Sequence, residues 1–186
     1  IRKVFEDMGV PKVGTAYADK ALDDMYSHYN VPKAAYFVVE HEGRIIGCAG
    51  VAQLDNYDGN VCELQKMYFL EEARGKGLGA KVIEACLNKA KEFGFEACYL
   101  ETMPYMEAAQ KLYKKNGFEY IDAPMGNTGH YSCPVWMLKK IVMLLKEIKD
   151  IFHKELGELY PKEEIDSFFY SCIEHYLKLE RFILAI

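Results

Sequence analysis

Arg74-Gly75-Lys76-Gly77-Leu78-Gly79 sets two cations among three glycines, directly ahead of an apolar-periodic run. Glycines let consecutive backbone N–H groups turn toward an anion. A helix that starts there adds the partial positive charge of its first turn. Arg74 and Lys76 add full charges, so the turn suits a pyrophosphate. The phosphate-loop pattern is absent, because no Gly-Lys-Ser/Thr triplet follows a four-residue gap. Gly75, Gly77 and Ala80 do satisfy the Gly-x-Gly-x-x-Ala dinucleotide fingerprint, with Glu101 ending the next strand. Two features weigh against a dinucleotide. The polar stretch Glu-Glu-Ala-Arg (71–74) separates the glycines from the strand before them, and the chain soon turns to a hairpin instead of adding further strand–helix units.

The elements that must position this turn follow from periodicity. Ile1, Val4, Phe5 and Met8 keep helical spacing up to Gly9, and Thr15 can cap a second helix carrying Ala18, Ala21, Leu22, Met25 and Tyr26. Residues 35–40 and 45–54 read as a hairpin across His-Glu-Gly-Arg, and 61–70 as a third strand after the turn cluster 55–60. The glycine turn opens a helix that runs to about Phe93 and stops at Gly94. A strand over 96–101, a helix ending at Gly117, and strands over 118–122 and 135–141 complete the pattern. Strand–helix–strand over 61–101 requires a parallel crossover and the hairpins require antiparallel pairing. The expectation is a mixed sheet in a three-layer α/β domain over residues 1–141. By strand alternation Glu63 and Gln65 share one sheet face, and Leu64 and Lys66 the other.

Composition limits the function classes. A net charge of -5 and no long basic run argue against nucleic-acid binding. Six scattered cysteines contain no Cys-x-x-C, so no zinc ribbon or other metal site is signalled, and they read as free thiols of a reducing cytoplasm. No apolar stretch approaches the ~18 residues of a membrane span.

The region resembles the GNAT superfamily of N-acetyltransferases. "RGKGLG" matches the family's Gln/Arg-x-x-Gly-x-Gly/Ala signature, and "AAQKLYKKNGF" its A-x-x-L-Y-x-x-x-G-F helix, giving Tyr113, Gly117 and Phe118. The resemblance covers about residues 1–141. It implies the family's α/β fold, acetyl-CoA as cofactor, and an amine acceptor, small molecule or peptide. Two departures stand out: the family's strand before the first helix is missing from this sequence, and Met106 stands where many members carry an Asn that touches CoA.

Acyl transfer to an amine needs a held cofactor, a base, an oxyanion donor and an acid. The turn Arg74, Gly75, Lys76, Gly77, Leu78 and Gly79 is expected to hold the pyrophosphate. The resemblance implies that the strand end at Met67, Tyr68 and Phe69 meets the pantetheine amides, where adjacent parallel strands splay. The amide of Tyr68 or Phe69 is the expected oxyanion donor. Tyr113 is the expected general acid, placed at the sulfur by the motif. A phenol near ~10 can protonate a thiolate whose acid titrates near ~8.5. Glu63 is the expected general base, direct or through a water, on the strand where some family members place a catalytic glutamate. His130 in "TGHYSC" is a rival base or a substrate contact. Asp55, with Asp58, lies near where the family takes its acceptor and points to a cationic amine. Cys133 has no adjoining base motif that would make it a nucleophile.

Residues after about 141 change texture. Leu144, Leu145, Ile148, Ile151, Phe152 and Leu159 mark one amphipathic helix, and Ile165, Phe168, Phe169, Cys172, Ile173, Tyr176 and Leu177 another, with Pro161 between. Residues 143–186 resemble the start of the N-terminal helical domain of release-factor glutamine methyltransferases, with "RFILAI" the most specific piece. The catalytic Asn-Pro-Pro-Tyr and the S-adenosylmethionine loop of that family are absent. The resemblance implies a fusion junction and a relation to release factors. Without it, the two helices are a hairpin that packs on the acetyltransferase or makes a dimer. For the whole chain, the competing reading is a non-catalytic acyl-CoA-binding module whose tail docks a translation partner.

Overall fold

A computed structural model gives the fold and describes residues 1–141 and 145–177. The first unit contains helices α1 (Arg2–Asp7), α2 (Met25–Tyr29), α3 (Leu78–Glu92) and α4 (Glu107–Lys115). Its strands are β1 (Ala35–His41), β2 (Arg44–Gln53), β3 (Val61–Phe69), β4 (Ala97–Thr102), β5 (Glu119–Ile121) and β6 (Val135–Lys140). They form one six-stranded sheet in the order β1-β2-β3-β4-β6-β5, antiparallel except for β3 beside β4. This is the mixed α/β architecture expected from the sequence.

Glu42 and Gly43, both at positive φ, make the tight turn between β1 and β2. On one sheet face α3 and α4 cover Leu64, Cys98, Leu100 and Met137, with Ile83, Cys86 and Ala90 packed down from α3. Each fully buried large apolar side chain there contributes about 1.5–3 kcal/mol. On the other face Phe5, Val10, Ala16 and Met103 form a second cluster with Tyr68, and Leu54, Val61, Ala97 and Tyr99 a third. The Phe5 and Tyr68 rings lie 4.8 Å apart.

The expected helix after Thr15 is replaced by two 3-10 turns, Ala16–Ala18 and Lys20–Leu22, and the short α2. Thr15 does cap the first turn, accepting from the Tyr17 N–H at 3.4 Å. The break falls at Asp19, whose backbone is extended (φ -62, ψ 125) and whose side chain is taken up by tertiary partners. Those contacts override a weak helical preference.

Beyond Ile141 the described residues form a separate unit. Helices α5 (Leu145–Leu156) and α6 (Lys162–Leu177) pair antiparallel. Phe152 meets Phe169 edge-on at 5.6 Å, and Asp166 receives His153 at 2.6 Å and Lys149 at 3.1 Å. Leu144 and "RFILAI" lie outside the described residues. All six cysteines are free thiols. No helix among the described residues is long and apolar enough to cross a membrane.

Candidate active site

The site is built where two parallel strands part. The β3–β4 ladder runs only from Val61↔Ala97 to Glu63↔Tyr99. Beyond it, backbone groups of β3 that face β4 have no strand partner and open into a cavity of about 790 Å³. Leu70 N–H donates to the Ile46 carbonyl at 2.9 Å, and Tyr68 stands opposite Cys48 in the same register. Antiparallel pairing alternates, so the Tyr68 backbone is committed to β2, whereas the amides of Met67 and Phe69 face the gap. Of the two amides expected as oxyanion donor, Phe69 keeps that possibility and Tyr68 does not.

A bulge sits at the same place. Lys66 and Met67 together face Ala49, because the register shifts between Cys48↔Tyr68 and Gly50↔Gln65. Lys66 has φ +51, left-handed for a residue with a Cβ, at a cost of about 1–3 kcal/mol. Its carbonyl accepts from the Tyr36 hydroxyl at 3.3 Å. Simple alternation assigned Lys66 to the face opposite Glu63. The extra residue overturns that: Lys66 Nζ lies 2.8 Å from Asp19 Oδ2, and Tyr68 packs among the second cluster with Phe5. Met67 and Phe69 pack on the α3–α4 side, where Phe69 covers Gly47 so closely that a Cβ there would meet its ring.

Glu63 is buried, at 4% exposure, and lines the cavity. Its Oε2 accepts from Gln65 Nε2 at 2.8 Å, and Gln65 Oε1 accepts from the Tyr29 hydroxyl at 2.9 Å. Burial pushes the carboxyl up to about 7, more than Gln65 and the charge of His130 pull it down. Tyr113, from α4, lines the same cavity from the other face, edge-on to Phe118 at 6.0 Å. Burial pushes its phenol up to about 12.

His130 also lines the cavity. Nε2 lies 3.1 Å from Asp19 Oδ1 and Nδ1 3.9 Å from Glu101 Oε2. Burial pulls the imidazole down, but the hydrogen bond and charge of Asp19, with Glu63 and Glu101, hold it above its ordinary value. Glu101 also accepts from the Tyr99 and Thr128 hydroxyls, both at 2.7 Å. Asp19, Lys66 and Glu101 are the residues that sequence reasoning missed as parts of this site. Glu101 was visible only as a strand end, and Asp19 was hidden in an expected helix. Cys133 lines the cavity too, its thiol pushed up to about 12 by burial, which disfavours a thiolate nucleophile.

The glycine turn lies at the mouth. Gly75 and Gly77 have φ of +73 and +74, and nothing stands within 4 Å of where a Cβ would project. Gly77 is the N-cap of α3 and supplies no side-chain cap, so the first-turn N–H groups remain for a ligand. At Gly79 a Cβ would come within 2.7 Å of Leu112, so this glycine serves close packing. Arg74 Nε donates to the Phe69 carbonyl at 3.1 Å, tying the turn to the strand end. Arg74, Gly75, Gly77, Leu78 and Gly79 all line the cavity. Lys76 is exposed and is not among the lining residues; neither is Asp55, which lies exposed in the β2–β3 turn.

Comparison with known proteins agrees with this geometry. The acetyltransferase (GNAT) family model matches residues 3–118. The N-acetyltransferase YjgM of Escherichia coli (strain K12) is 44% identical over 142 residues, covering 76% of this chain and 85% of that protein. The IAA acetyltransferase of Azospirillum brasilense is 31% identical over 87 residues, 47% of this chain and 56% of that protein. Among solved structures, a GNAT-family acetyltransferase from Staphylococcus aureus Mu50 superposes with a TM-score of 0.64 at 20% identity, covering 75% of this chain and 88% of the other. YncA of Salmonella typhimurium with its cofactor acetyl-CoA gives 0.54 at 21% identity, over 64% of this chain and 72% of the other. With a family match over more than half its length and a relative this similar over most of the first unit, the chain belongs to the acetyltransferase (GNAT) family.

Proposed function

We propose that the protein transfers an acetyl group from acetyl-CoA to a primary amine by direct attack, with Glu63 as general base and Tyr113 as general acid. One observation carries the reading: the two side chains reach a single cavity from opposite faces of the sheet, at the gap where β3 leaves β4. Acceptor and departing thiol can then occupy opposite sides of the acyl carbon.

The residues fit acetyl-CoA. Gly75 and Gly77 leave open space for phosphate at the start of α3, with Arg74 beside it and Lys111 and Lys115 on the adjoining wall. The exposed amides of Met67 and Phe69 suit pantetheine and the acyl carbonyl oxygen. The similar fold of YncA, whose structure holds acetyl-CoA, supports the same ligand. When bound, acetyl-CoA supplies the activated thioester. Glu63, titrating near about 7, accepts the acceptor's proton at neutral pH. The Tyr113 hydroxyl, protonated throughout that range, can give its proton to sulfur.

For residues 143–186 we propose the beginning of a helical domain of the release-factor methyltransferase kind. The antiparallel α5–α6 pair supports a helical module of this sort. Binding of a bacterial release factor to the full chain tests it, and no binding would leave a private helical pair. Acetylation of an amine panel, followed by product mass, tests the main reading. Tight acetyl-CoA binding with no acetylated product would favour the non-catalytic acyl-CoA-binding module.

A further inference from the structure

Glu63 and Glu101 line the cavity at the face carrying α1, and Arg74, Lys111 and Lys115 line its α3–α4 side, with Glu107 beside Lys111. Glu101 lies two residues beyond Tyr99, the register partner of Glu63, so the two carboxylates project from neighbouring strands on one face. Glu63 lines the cavity and accepts one hydrogen bond there, at Oε2 from Gln65, while no buried side-chain oxygen among the described residues is left unsatisfied. The groups that hydrogen-bond to Glu63 and Glu101 are neutral: an amide for the first, two hydroxyls for the second.

The cations on this face are committed elsewhere. Lys66 Nζ sits on Asp19 Oδ2 at 2.8 Å, and His130 presents Nε2 to Asp19 Oδ1 at 3.1 Å. Its other nitrogen lies 3.9 Å from Glu101 Oε2, beyond hydrogen-bond distance, so its one close carboxylate is Asp19. Asp19, Glu63 and Glu101 thus outnumber the basic groups Lys66 and His130 on this face, and both basic groups turn to Asp19, which leaves Glu63 and Glu101 to face the cavity. The rest of this wall is neutral and mostly apolar: Phe5, Val10, Ala16, Met103 and the thiol of Cys133 line it, with Thr15 and Gln65.

We propose that the acceptor is a monocationic primary amine with an apolar body and no carboxylate, its ammonium held between Glu63 and Glu101. This rests on the acetyltransfer reading of the cavity and adds the acceptor class to it. Glu101 is then a specificity-determining residue. A carboxylate on the acceptor would enter beside two carboxylates with no cation to meet it, and a second ammonium would be buried against apolar side chains.

The test uses the full chain, acetyl-CoA and acceptors that share one body: 2-phenylethylamine, phenylalanine and, for a second charge, the diamine 4-(2-aminoethyl)benzylamine. The expected kcat/KM for 2-phenylethylamine exceeds that for phenylalanine by roughly 100-fold, the cost of an unpaired buried charge. It should also exceed that for the diamine. Glu101→Gln should raise KM for 2-phenylethylamine more than it lowers kcat, and shrink the preference over phenylalanine, with the KM for acetyl-CoA unchanged. Phenylalanine or the diamine acetylated as well as the monoamine would overturn the inference and leave the acetyltransfer reading standing. Acetyl-CoA bound with no amine acetylated would overturn that reading, and this inference with it.

Discussion

Glu63 and Tyr113 face one cavity from opposite sides of a six-stranded sheet, one from the middle strand β3 and the other from α4. The proposed base and acid therefore need not compete for one approach to the acyl carbon. The first consequence is a pH profile. Glu63 must lose its proton to act, so kcat/KM should rise with pH through an apparent pKa near about 7 and then level. Glu63→Gln should abolish that limb and lower the rate by ~10²–10⁴-fold at neutral pH, recovering in part as the acceptor deprotonates in alkali. A parent-like profile in the variant would move the base elsewhere.

The same carboxyl should mark stability. Its folded pKa stands above its ordinary value, so the protonated form is favoured by folding. Stability is greatest below the ordinary carboxylate range and falls as pH rises through about 7, by up to about 3 kcal/mol. Glu63→Gln lacks that loss. Melting temperatures of parent and variant should diverge from pH 5 to pH 8, with the variant higher at the alkaline end.

Tyr113→Phe removes one hydroxyl and keeps the ring against Phe118. Acetyl-CoA should bind as before, while kcat falls within ~10²–10⁴-fold, most severely at low pH where a free thiolate is least tolerated. Parent-like rates across the range would make this tyrosine a packing residue.

Arg74→Ala should weaken acetyl-CoA binding by ~1.5–3 kcal/mol, the worth of a charge-assisted hydrogen bond. Gly77→Val should be worse, since its φ of +74 disfavours a β-branched residue and the side chain would fill the open space of the turn. Calorimetry with CoA reads both. Lys76→Ala, at an exposed position outside the cavity, should change affinity less than Arg74→Ala.

Asp19→Asn should destabilise the first unit by about 3 kcal/mol, because it strands the buried Lys66 ammonium. Asp19→Asn with Lys66→Met should recover much of that loss in denaturant titration. A double variant as unstable as the sum of the two singles would mean that the pair does not act as a unit.

Much of this was legible in the sequence because local chemistry and spacing carry it. The glycines of the turn, the stop at Gly94 and the alternation of β3 up to Gln65 all depend on near neighbours. What escaped depends on distant ones. Nothing local reveals that Lys66 begins a bulge, since its positive φ is tolerated for the sake of the Asp19 pair and the Tyr36 hydrogen bond. Asp19 could not be lifted from a helical pattern without knowing where Lys66 and His130 lie. Only its place in the chain points to Asp55, and it does not line the cavity.

The most direct test of the central claim is acetyl transfer itself: release of free CoA thiol from acetyl-CoA by the full chain, with and without a primary monoamine, and the mass of the amine product. Amine-dependent thiol release should be matched one for one by N-acetylated amine, and both should fall by ~10²–10⁴-fold at neutral pH in Tyr113→Phe and Glu63→Gln. Acetyl-CoA bound at the glycine turn with no acetylated product from any amine would contradict the claim.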